Sequence, residues 1–311
     1  MSPSVSRLAA GLVSLLLGLA PDALAQEKKA APAGTRAVAE AYIDSLFLER
    51  DLDRIAMLTA DETLFIDPTA DLWGGPIMSG VRGKENVIAV MRRANPERLA
   101  YRLERSFSTG EYAFFYGKLD WKTYGQPVAE GIPLATLLRI QNDRVVERHD
   151  HGDYEHHLLG VPKLPKEEQQ RRQDLARRYL QAYSETRLKD MAALLTEDAI
   201  FQDPTAAAIG GGQTYRGAKA IHAALEQAFT HVKGFEITTT AEFFSNNHAV
   251  FIGDCRFEIP GELYGVDVPK IDFEQALIVV LKMEGDRIVD HRDYSDYSAY
   301  RERIEKARGD Q

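Results

Sequence analysis

Asp-Pro-Thr-Ala occurs twice in this chain, each time closing an apolar run: LFIDPTA at 64–70 and IFQDPTA at 200–206. Alternate residues of a strand share a face, so Phe65 points with Asp67 and Phe201 with Asp203. Proline at the next position ends the hydrogen-bonded ladder and fixes the backbone, which holds each carboxylate at a rigid strand end. With the phenylalanines lining an apolar interior, the aspartates face it too. Burial there raises a carboxyl pKa and suits it to general-base work near neutrality. The same phrase also fits a structural role, because aspartate before proline readily accepts the N–H groups of its own turn.

Other charges recur at matching places. YGKLDW at 116–121 sets Lys118 and Asp120 on one face of a strand, and IGDCRF at 252–257 sets Asp254 and Arg256 on the aligned face. The last strand of each half adds Arg148 with Asp150, and His291 with Asp293, again at alternate positions. Each half can therefore gather two or three carboxylates around one or two cations, a set able to polarise a substrate or a water. Two plainer readings stand beside it: ion pairs that only neutralise themselves, or faces turned to solvent or to the other half. RHDHGDYEHH at 148–157 supplies many metal donors, with zinc the metal they would favour. The second half replaces these histidines with Arg292, Tyr294, Ala299 and Tyr300, and a solvated surface tract reads equally well. No metal ligand set and no cofactor is assigned. AIGGGQ at 208–213 lacks the lysine of a phosphate loop, G-x-S-x-G does not occur, and Cys255 is the only cysteine.

These residues need elements to position them, and the elements repeat. VAEAYIDSLF at 38–47 matches LARRYLQAYS at 175–184; VRGKENVIAVM at 81–91 matches YRGAKAIHAAL at 215–225; NDRVVERHDHGDY at 142–154 matches GDRIVDHRDYSDY at 285–297. Units of roughly 130 residues, each with its own core, make this a domain duplication rather than a solenoid. Within each copy the patterning predicts helices first (36–48, 51–60 and one after Arg82-Gly83), a strand ending at the aspartate, and then four long alternating strands. The second copy repeats this over 171–297. Helices followed by a run of antiparallel strands define an α+β class with the sheet curled over the helices.

The chain has 311 residues, 44% of them hydrophobic and 27% charged, with a net charge of −9. That suits two globular cores and excludes a nucleic-acid footprint, which needs a basic patch. Arg7, the run LAAGLVSLLLGLA and Ala23-Leu24-Ala25 read as a secretory leader cut before Gln26, which places the mature protein in the periplasm or outside the cell, with an uncleaved anchor as the alternative. No later stretch is apolar enough to span a bilayer. The predicted organisation is a leader at 1–25, a tether at 26–35, domains at 36–157 and 171–300 joined by a linker at 158–170, and a tail at 301–311.

The helix pair, the Asp-Pro strand end, the Arg-Gly before the third helix and the R-D-Y-x-D type last strand resemble the SnoaL-like branch of the nuclear transport factor 2 superfamily. That superfamily includes ketosteroid isomerase and limonene epoxide hydrolase. The resemblance implies two tandem cone-shaped, cystatin-like α+β barrels, each with a small-molecule cavity in its mouth, paired as an internal pseudo-dimer and open to homo-oligomer formation. It further implies Asp67 and Asp203 as bases with Tyr42 and Tyr179 as hydrogen-bond donors. Tyr179 keeps the family's spacing to the base, and Tyr42 is off by one residue. At the isomerase's second oxyanion donor this sequence has Thr136 and Val279. The epoxide hydrolase's Asp-Arg-Asp set corresponds to Asp254, Arg256 and Asp293, and in exchanged order to Lys118, Asp120 and Asp150. The expected function is small-molecule binding with cofactor-free isomerase, hydratase or epoxide-hydrolase chemistry. A non-catalytic scaffold and a histidine-tract metal binder are the alternatives.

Overall fold

The computed structural model describes residues 34–73, 80–94, 96–122, 125–158 and 163–309. The predicted leader and most of the tether lie outside the described residues. The chain forms two compact units, residues 31–164 with 243–246, and residues 165–242 with 247–311.

In the first unit, α1 (Gly34–Asp44) runs into a π-helical turn (Ser45–Glu49) that Arg50 ends in the left-handed region. Asp51 then caps α2 (Leu52–Leu58), accepting the Asp53 and Arg54 amides. Strand β1 (Thr59–Ile66) ends at Asp67, and a 3-10 turn starts at Pro68. Next come β2 (Val81–Arg82), α3 (Lys84–Arg93), the long strands β3 (Arg98–Thr109), β4 (Tyr112–Lys122), β5 (Ala129–Gln141) and β6 (Arg144–Gly152), and a single turn α4 (Tyr154–His157).

The second unit repeats the order: α5 (Lys166–Ser184), α6 (Leu188–Ala193), β7 (Leu195–Gln202), a 3-10 turn (Pro204–Ile209), β8 (Thr214–Arg216), α7 (Ala218–Ala228), β9 (Lys233–Ser245), β10 (His248–Ile259), β11 (Ile271–Glu284), β12 (Arg287–Ser295) and α8 (Tyr297–Gly309). The charge run KEEQQ, read as linker from sequence, is the first turn of α5, where Glu167 and Glu168 suit the positive end of the helix dipole. Residues 301–309 at the C-terminal end belong to α8.

The sheets correct the expected fold. Their strand orders are β2-β1-β6-β5-β4-β3 and β8-β7-β12-β11-β10-β9. Each is an open, mixed sheet: the first strand of a unit pairs parallel to its last, and the other pairings are antiparallel. Neither closes into a cone-shaped barrel or curls strongly. Closure needs the two edge strands to hydrogen-bond along their length, and β2 and β8, only two and three residues long, offer too few backbone groups for that.

The core of the first unit lies between its helices and one sheet face, joining Ala39, Tyr42 and Ile55 to Phe115, Leu119, Ile132 and Leu138. At the middle of β4 and of β10 a glycine lets the neighbouring strand press in. A Cβ on Gly117 would meet the Arg102 carbonyl, and one on Gly253 the Thr238 carbonyl.

Candidate functional site

Both Asp-Pro-Thr phrases fold the same way. Asp67 is 4% exposed and Asp203 2%. Asp67 Oδ1 accepts the Thr69 hydroxyl (2.7 Å) and the Ala70 amide (3.2 Å), and its Oδ2 accepts the Tyr154 hydroxyl (2.9 Å). Asp203 repeats the pattern with Thr205 (2.5 Å), Ala206 (3.1 Å) and Tyr297 (2.6 Å). The threonine hydroxyls in turn accept amides from the last strands, Gly152 N–H onto Thr69 and Ser295 N–H onto Thr205, both at 2.8 Å. Proline thus starts a turn whose aspartate caps it and whose threonine ties it to the far end of the sheet.

A second carboxylate stands near each first one. Asp150 (3% exposed) takes both forks of the buried Arg148 guanidinium and a 2.9 Å bond from the Thr136 hydroxyl. Arg148 also lies over the Phe65 ring, 4.8 Å from its centroid, and against the Tyr42 hydroxyl. In the second unit His291 replaces Arg148. With Asp293 ionised, His291 Nε2–H donates to it at 2.6 Å, which leaves the Nδ1 lone pair to accept the Tyr179 hydroxyl at 2.8 Å. Phe201 packs on the imidazole, with ring centroids 4.2 Å apart. The hydroxyl that Thr136 supplies is missing at Val279, and Tyr183 on α5 supplies it instead, donating to Asp293 at 2.9 Å.

Electrostatics follow from this enclosure. Burial pushes the Asp67 carboxyl up to about 7, helped by the Asp150 charge and opposed by its hydrogen bonds and Arg148. Burial likewise pushes Asp203 up to about 7, helped by the Asp293 charge. Burial also raises the Tyr42 hydroxyl, against the pull of Arg148, and raises Tyr179 well above its ordinary range with Asp293 as second cause. Two carboxyls in one dry place resist being ionised together.

The remaining expected residues lie elsewhere. Lys118 and Asp120 alternate with the core residues Phe115 and Leu119, so they occupy the opposite face of β4. There Lys118 donates to the Tyr116 hydroxyl (2.9 Å) and Asp120 accepts the Gly131 amide (2.9 Å). Asp254 and Arg256 likewise alternate with buried Cys255 and Phe257, and Arg256 pairs with Glu274 at 2.7 Å on the exposed side. Asp293 sits opposite Val279, which sits opposite Phe251, so it shares the other face of that sheet. The epoxide-hydrolase constellation is therefore split across two faces in both units. In the histidine tract, His156 binds Asp153 (2.6 Å) and His157 the Glu130 carbonyl (3.1 Å). No three His, Cys, Asp or Glu side chains converge as a metal site among the described residues. An open depression of about 490 Å³, lined by Arg187, Asp190, His222 and Glu226 among others, includes none of the buried carboxylates.

Sequence reasoning missed Tyr154 and Tyr297 as carboxylate partners, and Thr69 and Thr205 as ties. The duplicated phrases carried all four.

Each unit is an α+β domain with helices over one face of a mixed sheet and an enclosed acidic pair at the strand ends. Residues 176–291 match the sequence profile of the SnoaL-like domain. The first unit repeats the elements and sheet order of the second, so the chain carries this SnoaL-like fold in duplicate. Among solved structures it is similar to a putative SnoaL-like polyketide cyclase from Shewanella denitrificans, at 25% identity over 43% of this chain and 97% of that one, with a TM-score of 0.40. A putative SnoaL-like polyketide cyclase from Shewanella putrefaciens gives 26% identity over 46% and 99%, also at 0.40. An LEH-like epoxide hydrolase of M. tuberculosis gives 15% identity over 44% and 92%, at 0.36. No curated protein matches the chain.

Proposed function

We propose that the second unit binds a small, partly apolar molecule and moves a proton on it without a cofactor. The observation that supports this reading is the buried chain Tyr179–His291–Asp293–Tyr183 lying beside Asp203, whose carboxyl is pushed to about 7. Such a group is half protonated near neutrality and can give or take a proton at little cost. Asp293 takes the proton from a carbon next to a carbonyl, the His291 Nε2–H and the Tyr183 hydroxyl hold that carboxylate in place, and Asp203 holds or returns a proton. Delivery to another atom of the same molecule is an isomerisation, or a ring closure where the carbanion adds to a second carbonyl; where Asp293 instead takes the proton of a water that adds to the substrate, and Asp203 protonates the atom at the other end, the outcome is a hydration or epoxide opening. Asp67 and Tyr42 hold the equivalent places in the first unit, but opposite Arg148. A guanidinium stays protonated in a protein, so the Arg148–Asp150 pair fixes charge and does not relay protons.

The test is deuterium uptake from heavy water into a panel of enolisable ketones, followed by NMR. The wild type should accelerate exchange of at least one panel member, and Asp293→Asn and Asp203→Asn should each abolish the acceleration. Exchange undiminished in both variants rules the reading out. A second reading, a non-catalytic scaffold, draws support from the engagement of both oxygens of Asp67 and of Asp203 by their own turn and a late tyrosine. It expects the same variants to lose stability and nothing else.

Secretion belongs to the proposal as well. No helix among the described residues is long and apolar enough to cross a membrane. Export with cleavage before Gln26 is checked by sequencing the N-terminus of the protein recovered outside the cytoplasm.

A further inference from the structure

The interior of the second unit holds a polar group that none of the bonds above uses. Gln275 is 3% exposed, and neither its Oε1 nor its Nε2 has a hydrogen-bond partner among the described residues. Buried amides are normally satisfied by protein or by a trapped molecule, because a bare one has given up its hydrogen bonds to water and regained none. Register fixes where this amide points. Gln275 sits opposite Cys255 on β10, and Val279, four residues on along β11, sits opposite Asp293. Alternation therefore puts Gln275 on the sheet face that carries Asp293 and His291. Its companions there are aromatic: Phe257 stacks on Phe273 with centroids 5.1 Å apart, and Tyr300 on Phe273 at 4.5 Å.

The first unit shows what the same place looks like when it is filled. Leu119 sits opposite Ile132 just as Cys255 sits opposite Gln275, and Thr136, four residues past Ile132, sits opposite Asp150. Leu119 and Ile132 are 2% and 0% exposed and pack in the core with Tyr42 and Tyr154. One unit closes this position with hydrocarbon; the other presents a bare carboxamide among aromatic rings.

We propose that Gln275 is the recognition group for the second unit's ligand, and that the chain takes one such ligand, in the second unit only. A carboxamide offers an acceptor and a donor side by side. Its complement is a group with the same pair reversed, a carboxylic acid, a primary amide or an enolised β-dicarbonyl, on an aromatic or apolar body. This rests on the reading that the second unit binds a small molecule, and it adds the chemical class and the count.

The experiment is isothermal titration of the full chain with benzamide, benzoic acid and acetylacetone, with acetophenone as an acceptor-only control. One equivalent of at least one two-point probe should bind per chain, more tightly than acetophenone, and Gln275→Leu should weaken it at least tenfold. The ligand-free Gln275→Leu variant should also melt higher than wild type, since leucine removes the unsatisfied amide. Binding by Gln275→Leu equal to wild type, two equivalents per chain, no binding of any two-point probe, or a lower melting point of the ligand-free variant overturns the proposal. The two proposals fail separately. Probe binding that ignores Gln275 while ketone exchange still depends on Asp293 removes only this inference. Gln275-dependent binding without any exchange removes only the chemistry.

Discussion

Asp67→Asn should flatten the pH dependence of the first unit's stability, and the size of the effect follows from its burial. The folded-state pKa of Asp67 is raised to about 7 from an ordinary 3.8. Below about pH 4 the carboxyl is protonated in both folded and unfolded chains, so the stability linked to it is fully present. As pH rises toward 7 the unfolded chain releases its proton while the folded one keeps it, and stability falls. Above 7 both are ionised and the loss is complete. At about 1.4 kcal/mol for each tenfold change in proton affinity, the total is about 4 kcal/mol. Asparagine keeps an acceptor for Thr69 and Ala70, can donate to the Tyr154 oxygen, and does not ionise. The variant should therefore lose this part of the slope. The sequence supplies the probe, because its two tryptophans, Trp73 and Trp121, both belong to the first unit. Urea unfolding followed by tryptophan fluorescence at pH 5 and at pH 8 isolates that unit. Wild type should lose stability between the two values and Asp67→Asn much less. Equal losses in both would mean that Asp67 is ionised in the folded state across this range, which would remove the basis for reading it as a proton-holding group.

Other outcomes follow from the same contacts. Thr205→Val removes the tie between the turn and Ser295 and leaves that buried amide unpaired, so the second unit should lose about 1–3 kcal/mol in denaturant unfolding followed by circular dichroism. Arg148→Met strands the Asp150 charge in the interior and should destabilise the first unit by about 3–5 kcal/mol at neutral pH, with most of the loss recovered by adding Asp150→Asn. Tyr183→Phe should slow any proton-transfer activity and shift its pH profile, and Val279→Thr in the same chain should restore it, because Thr136 performs that bond in the first unit. Gly253→Ala forces a methyl group into the Thr238 carbonyl and should cost more than about 2 kcal/mol, seen as a lowered melting temperature.

The element order was legible because hydrophobic period and turn residues are local. The four long strands expected after the third helix form at Arg98–Thr109, Tyr112–Lys122, Ala129–Gln141 and Arg144–Gly152, and that helix starts just after Gly83. Sheet closure was not legible, since it depends on how few residues Val81–Arg82 give to an edge. The face of Lys118 and Asp120 was also hidden. Period two shows that they share a face, but Phe114 and Tyr116 on that side are as buried as Phe115 and Leu119 on the other, so composition could not say which one meets the helices. The burial of Asp67 and Asp203 was legible because the apolar run before them and the proline and threonine after them leave a motif. Gln275 leaves none: its significance is the lack of a partner, which only coordinates reveal.

The parallel pairing of first and last strands has a bearing on biosynthesis. Phe65 lies beside Arg148, and the Thr69 tie to Gly152 closes a loop of 83 residues. On the ribosome β1 therefore lacks its long parallel mate until β6 has emerged, and until then its partners are α2, α3 and the two-residue β2. The first copy can complete this seam while the second is still being translated, so that the corresponding strands of the two copies are not left unpaired together and free to exchange mates.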